Sequence, residues 1–175
     1  MPTLPTTLLT TPPAVDALSL AHGSGLVETV DGLVENDRRH GTVTALLILA
    51  ADARPEECPD TPEQPLQNVV ARLRAGTRAG DTWFALDERH AAVVLTALPP
   101  AAAEGVVERV TDTLLVALEL SELTCPDRVG VRVSIGASLA LLRAHDGRET
   151  VQQAVDALAV ARADGGHCAR IRTLG

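Results

Sequence analysis

The chain has no lysine, no tyrosine and almost no aromatic surface: Trp83 and Phe84 are its only aromatic residues. A core built from it must therefore be made of Ala, Val, Leu and Ile. All fifteen basic residues are Arg, set against 23 acidic ones, for a net charge of −8. That balance excludes a general binder of nucleic acid or of anionic membranes, so neither is expected as a partner. Any anion site has to be made locally, from a few Arg residues. No apolar run reaches membrane-spanning length. The opening MPTLPTTLLTTPP lacks the basic segment and long apolar stretch of a secretory signal. Cys58, Cys125 and Cys168 are odd in number, widely spaced and not accompanied by His at metal-ligand spacing. A reduced, cytoplasmic protein with no metal and no cofactor is the simple expectation.

What is present is an ordinary globular composition, 46% apolar and 22% charged, on a length that suits one domain. Residues 1–14 are rich in Thr and Pro and read as a flexible tail before a single domain, 15–175. A helix is expected over about 15–39, broken near Gly23–Gly25, with Leu26, Val27, Val30, Leu33 and Val34 on one face. A strand over 43–50 follows. Beyond a Pro- and Glu-rich segment at 55–65, Leu66, Val69, Val70 and Leu73 mark a helical face that stops at Gly76. A long helix runs from about 98 to 120, facing the core with Ala103, Val106, Val107, Val110 and Leu114. After a loop at 124–130, residues 131–139 alternate at period two as a strand. A last helix, 150–164, turns Val151, Ala154, Val155 and Leu158 inward, and 167–174 makes an edge strand.

Residues 78–95, RAGDTWFALDERHAAVVL, hold the sequence's main functional signal. Ala-Gly-Asp is a turn, Trp83 to Leu86 a short strand, Asp87-Glu88-Arg89-His90 a hairpin tip, and Ala91 to Leu95 a buried strand. This stretch resembles the central hairpin of the GGDEF family, the diguanylate cyclases, RxGDxxxRLGGDEFAVLL. Laid on without a gap, Arg78 and Asp81 match the family's RxxD inhibitory motif, and the spacer 82–86 is kept. The signature pentapeptide has become Asp87-Glu88-Arg89-His90-Ala91. Other segments are similar too: Asp16, Leu18 and Ser19 to the family's DxLTGLxNR opening, 131–139 to its xVSIGxA strand, and Leu158 and Ala161 to ADxALYxAKxxGRN. The resemblance implies a ferredoxin-like, nucleotide-cyclase-type α+β sandwich, with a central, mostly antiparallel five-stranded sheet flanked by helices.

It also implies a loss of chemistry. Cyclisation of GTP needs two divalent cations held by hard carboxylate oxygens. The family supplies them from the first Asp of DxDxFK and the third letter of GGDEF, which stand here as Ala50 and Arg89. A methyl group cannot ligate, and a guanidinium repels a cation. Asp52 keeps the second Asp of DxDxFK, Glu63 falls where an Asp reads guanine, and Arg162 replaces a phosphate-binding Lys. Gly166 stands in place of the following Arg. By the same carry-over, Arg78, Asp81 and Arg109, the last in a stretch like the family's VAERI, would form a site for cyclic di-GMP. A guanidinium can pair with the O6/N7 edge of guanine, and a carboxylate can accept its N1–H and N2–H. Two functions remain open: an inactive domain that binds cyclic di-GMP and signals through a protein partner, or a ligand-independent module for dimerisation or protein docking. In the second reading, Arg78 and Asp81 form only a local ion pair.

Overall fold

The run VTALLILAA has no charge and no turn residue, and it forms the central strand β1 (Val43–Ala51), buried along its whole length. A strand covered on both faces needs apolar side chains at odd and even positions alike. Ala45, Leu47 and Leu49 join one core cluster, while Leu46, Ile48 and Ala50 join the other. The computed structural model describes residues 25–52, 66, 70, 73–74, 77–124, 132–141 and 146–173. Around β1 it sets β2 (Thr82–Ala85), β3 (His90–Leu98), β4 (Val133–Leu139) and β5 (Ala169–Thr173). The strand order is β2-β3-β1-β4-β5. Only the β4–β5 pair is parallel. The expected α+β sandwich with a mostly antiparallel five-stranded sheet is therefore what forms.

Helices α1 (Leu26–His40) and α3 (Gly147–Ala163) cover the face carrying the even residues of β1. Leu26, Val30 and Val34 from α1 meet Val151, Ala154, Val155 and Leu158 from α3 there. The opposite face is covered by α2 (Ala103–Thr124) and by the helical residues Leu66, Val70 and Leu73. Each fully buried aliphatic side chain contributes about 1.5–3 kcal/mol, so stability here rests on many small contributions in place of aromatic ones. Trp83 and Phe84 are both half-buried, and they serve opposite faces. Trp83 packs on the α2 side and Phe84 on the α1/α3 side, as alternation along β2 requires.

One close approach and one buried carboxylate fix the layers. A Cβ at Gly136 would lie 2.2 Å from both the Ala154 carbonyl and the Leu158 nitrogen, so α3 rests directly on β4. Gly136→Ala must force them apart, at a cost of about 1–3 kcal/mol or more. On the other edge of β1, the register slips between Val43 and Ala45, and Ala97 of β3 takes φ 53°. The Ala97 N–H donates to Asp37 Oδ2 at 2.9 Å, and Thr44 Oγ1 donates to the same oxygen at 2.8 Å. The buried Asp37 carboxylate thus holds the bulge.

Several boundaries differ from expectation, each for a local reason. Helix α3 begins at Gly147 and not Thr150, because Asp146 caps it by accepting the Glu149 N–H at 2.8 Å. A 3₁₀ turn, Pro100–Ala102, precedes α2, which runs on to Thr124. Strand β5 starts at Ala169, since His167 has φ 51° and turns its N–H onto Asp52. The expected tail 1–14 lies outside the described residues. So do the first half of the first helix, segment 55–65 with Cys58 and Glu63, Val69, Gly76, and loop 125–130 with Cys125.

Candidate functional site

The turn before β2 is closed by reciprocal bonds. The Asp81 N–H donates to the Arg78 carbonyl at 3.0 Å, and the Arg78 N–H donates to Asp81 Oδ2 at 2.8 Å. Ala79 and Gly80 form its apex. The expected side-chain ion pair between Arg78 and Asp81 is not what closes the turn. The indole N–H of Trp83 donates to Thr77 Oγ1 at 2.9 Å and ties β2 to the residue before the turn.

Beside this turn, the start of α2 runs past the end of β3 and leaves a pocket of about 310 Å³. Its buried wall is apolar, from Leu95, Leu98 and Val106. Its polar lining comes from Arg78, Asp81, Arg109, Thr77 and Thr113. The three residues expected to act together, Arg78, Asp81 and Arg109, therefore line one pocket. Arg78 and Arg109 are exposed, and among the described residues neither guanidinium has a hydrogen-bond or ion-pair partner. Among the described residues Asp81 Oδ1 also has no hydrogen-bond partner. Sequence reasoning missed Thr77 and Thr113, which carry no pattern of their own.

The hairpin tip is organised by one carboxylate. Asp87 Oδ1 accepts the backbone N–H of Arg89 at 2.7 Å and of His90 at 2.6 Å. The carboxylate also meets His90 Nδ1 at 2.9 Å. Burial alone would raise the Asp87 pKa. The bonds from the His90 ring and from the backbone of Arg89 and His90, with the charge of His90, outweigh burial and hold it below the usual value. His90 belongs to β3 and not to a solvated tip: it is buried and sits opposite Ala50. Ala91 is buried as well, while Glu88 and Arg89 are exposed.

The end of β1 holds Ala50 and Asp52, with the Arg89 and Arg162 guanidiniums reaching it. Ala50 is fully buried in the apolar cluster under α1 and α3. The next carbonyl, Ala51, accepts from Arg162 Nη2 at 3.2 Å and from Arg89 Nη2 at 3.4 Å. Asp52 is already engaged. Ser134 Oγ donates to it at 2.8 and 2.9 Å, the His167 N–H donates at 2.8 Å, and Arg162 Nε lies 3.6 Å away. A Cβ at Gly166 would come within 2.7 Å of Asp52 Oδ2. Two guanidiniums, a methyl group and a spent carboxylate do not fit a Mg²⁺ ion, which requires free hard oxygens. Among the described residues, no three His, Cys, Asp or Glu side chains are grouped to hold a metal. Cys168 is a free thiol whose Sγ reaches the Ala161 carbonyl at 3.3 Å.

No family model and no curated protein matches the sequence. Solved structures do match the architecture. The GGDEF domain of YfiN (TpbB) from Pseudomonas aeruginosa superposes with a TM-score of 0.68 at 20% identity, over 83% of this chain and 86% of that one. The chain has the GGDEF-domain fold. The GGDEF domain of DgcB from Caulobacter crescentus, solved in complex with c-di-GMP, gives 0.61 at 14% identity over 85% of each chain. The diguanylate cyclase SiaD from P. aeruginosa, solved with its activator SiaC, gives 0.61 at 20% identity, over 91% of this chain and 66% of that one. Within the GGDEF fold, the 78–81 turn leads into the central hairpin, whose tip in this chain is Asp87 to Arg89. Among the described residues no helix is long and apolar enough to cross a membrane.

Proposed function

We propose that this chain is a catalytically inactive GGDEF-fold domain that acts in the cytoplasm as a receptor for cyclic di-GMP. The observation that carries the reading is the shared pocket of Arg78, Asp81 and Arg109. Two unpaired guanidiniums offer charge-assisted bonds to a guanine edge and to phosphate. Asp81 keeps Oδ1, and one lone pair of Oδ2, to accept guanine N–H groups. The apolar wall of Leu95, Leu98 and Val106 supplies a surface for the base. The c-di-GMP complex of DgcB supports this ligand for the fold.

Inactivity is supported by the end of β1, where Ala50 and Arg89 stand in place of ligands and Asp52 is bound by Ser134, His167 and Arg162. Purified protein given GTP with Mg²⁺ or Mn²⁺ is expected to form no cyclic di-GMP; turnover above a protein-free blank overturns this half of the reading. The binding half is tested by calorimetry on Arg109→Ala, a surface change that leaves the fold intact and should weaken binding about tenfold or more. The bound state signals through a protein partner, a use of the fold that the SiaD–SiaC complex illustrates.

A ligand-independent docking or dimerisation module is the competing reading. The structural role of Asp81 in closing the turn favours it, because that role alone accounts for an acidic residue there.

A further inference from the structure

The Arg78–Asp81 turn is a ridge with a pocket on each side. The second pocket, of about 550 Å³, is lined by Arg74, Thr77, Arg78, Asp81, Thr82 and Trp83. It shares Thr77, Arg78 and Asp81 with the first pocket, so the two are contiguous across the turn. Its chemistry differs from that of the first. It holds the chain's single Trp, with the indole fixed by the bond to Thr77 Oγ1 and by packing on the α2-side core. An indole immobilised in this way is a preorganised stacking surface for a planar base. Arg74 and Arg78 are both exposed, and among the described residues neither guanidinium is paired. A stacking ring flanked by two free guanidiniums suits a purine base that carries a phosphate.

We infer that the Trp83 pocket is a second base subsite, in which a guanine stacks on Trp83 while its phosphate is held between Arg74 and Arg78. This rests on the proposed recognition of cyclic di-GMP and extends it: the ligand straddles the turn, and Arg78 serves both sides. It also gives a role to Trp83, whose indole the first pocket does not use.

Titration of cyclic di-GMP, followed in parallel by Trp83 emission and by calorimetry, tests the inference. Wild type should show quenching of Trp83 that saturates with the calorimetric isotherm. Arg74→Ala, a surface change that leaves the core intact, should weaken binding about tenfold. Trp83→Leu, checked by thermal melting, should weaken it by a similar factor or more. Suppose instead that binding is saturable and sensitive to Arg109→Ala, yet Trp83 emission stays flat and Arg74→Ala binds like wild type. The second subsite is then wrong while the receptor reading stands. If Trp83 and Arg74 respond and Arg109→Ala has no effect, the ligand uses only the Trp83 pocket, and the first site is the one that fails. Absence of any binding heat removes both.

Discussion

The carboxylate of Asp81 takes its hydrogen bond from the backbone N–H of Arg78, at 2.8 Å, and not from the Arg78 guanidinium. The turn is closed by main-chain groups and the Asp81 carboxylate, without the Arg78 guanidinium. The turn uses the Arg78 N–H and Asp81 Oδ2, and the proposed recognition adds the Arg78 guanidinium and Asp81 Oδ1, so the two roles are separable by mutation.

Asp81→Asn keeps an oxygen that can accept the Arg78 N–H but removes the charge. Its stability in urea should lie within about 0.5 kcal/mol of wild type, while cyclic di-GMP binding weakens roughly tenfold. Asp81→Ala should lose binding as well as about 0.5–1.5 kcal/mol of stability, the usual net worth of one hydrogen bond. An Asn variant that binds as tightly as wild type would show that the carboxylate charge does not touch ligand.

The bulge in β3 supplies a test of the fold. Ala97 sits at φ 53°, where a Cβ is disfavoured, so Ala97→Gly should stabilise the domain by about 1 kcal/mol despite the loss of a side chain. Asp37→Ala should do the reverse. It strands the buried Thr44 hydroxyl, at about 1–3 kcal/mol for a buried donor left unpaired, and takes the acceptor from the Ala97 N–H. Thermal and urea melts of the two variants should move in opposite directions.

Asp87 predicts a pH effect of defined sign. Its folded pKa lies below the ordinary 3.8, through bonds from the His90 ring and from the backbone of Arg89 and His90 that overcome partial burial. A depressed carboxyl stabilises the fold above its unfolded pKa, and that contribution fades as pH falls through the folded value. The stability difference between wild type and Asp87→Asn should therefore shrink as pH falls below about 4. A difference that grows on acidification would contradict the geometry of the tip.

Much of this architecture was legible because its signals are local. The unbroken apolar run of β1, the alternation of β4 and the Arg78–Asp81 spacing each follow from a few consecutive residues. The Asp146-x-x-Glu149 pattern was also readable as a helix start, and it gives the true beginning of α3. Other features were illegible because their partners are distant in sequence. Asp37 lies in a charged run at the end of α1 that looks solvated, and only the fold brings Ala97 onto it. His90 looks like part of a polar tip until Asp87 turns it inward to face Ala50. Asp52 looks like a surviving active-site carboxylate, yet Ser134 and His167 reach it from 82 and 115 residues away. The second pocket depends on where β2 leaves the side chain of Trp83, which no spacing rule reports.

The central claim, that Arg78, Asp81 and Arg109 form a receptor site, is tested most directly by calorimetric titration of the purified protein with cyclic di-GMP, with GTP and GMP as comparators. The dinucleotide carries two guanines and two phosphates and can offer a separate guanine–phosphate unit to Arg78 and to Arg109, whereas a mononucleotide has one such unit to share between them. Saturable binding of cyclic di-GMP is expected, with far weaker binding of GTP and GMP and an affinity that falls as salt rises, because local arginines work against a net charge of −8. No heat at high ligand concentration, or binding unchanged by Arg78→Ala and Arg109→Ala, would contradict it.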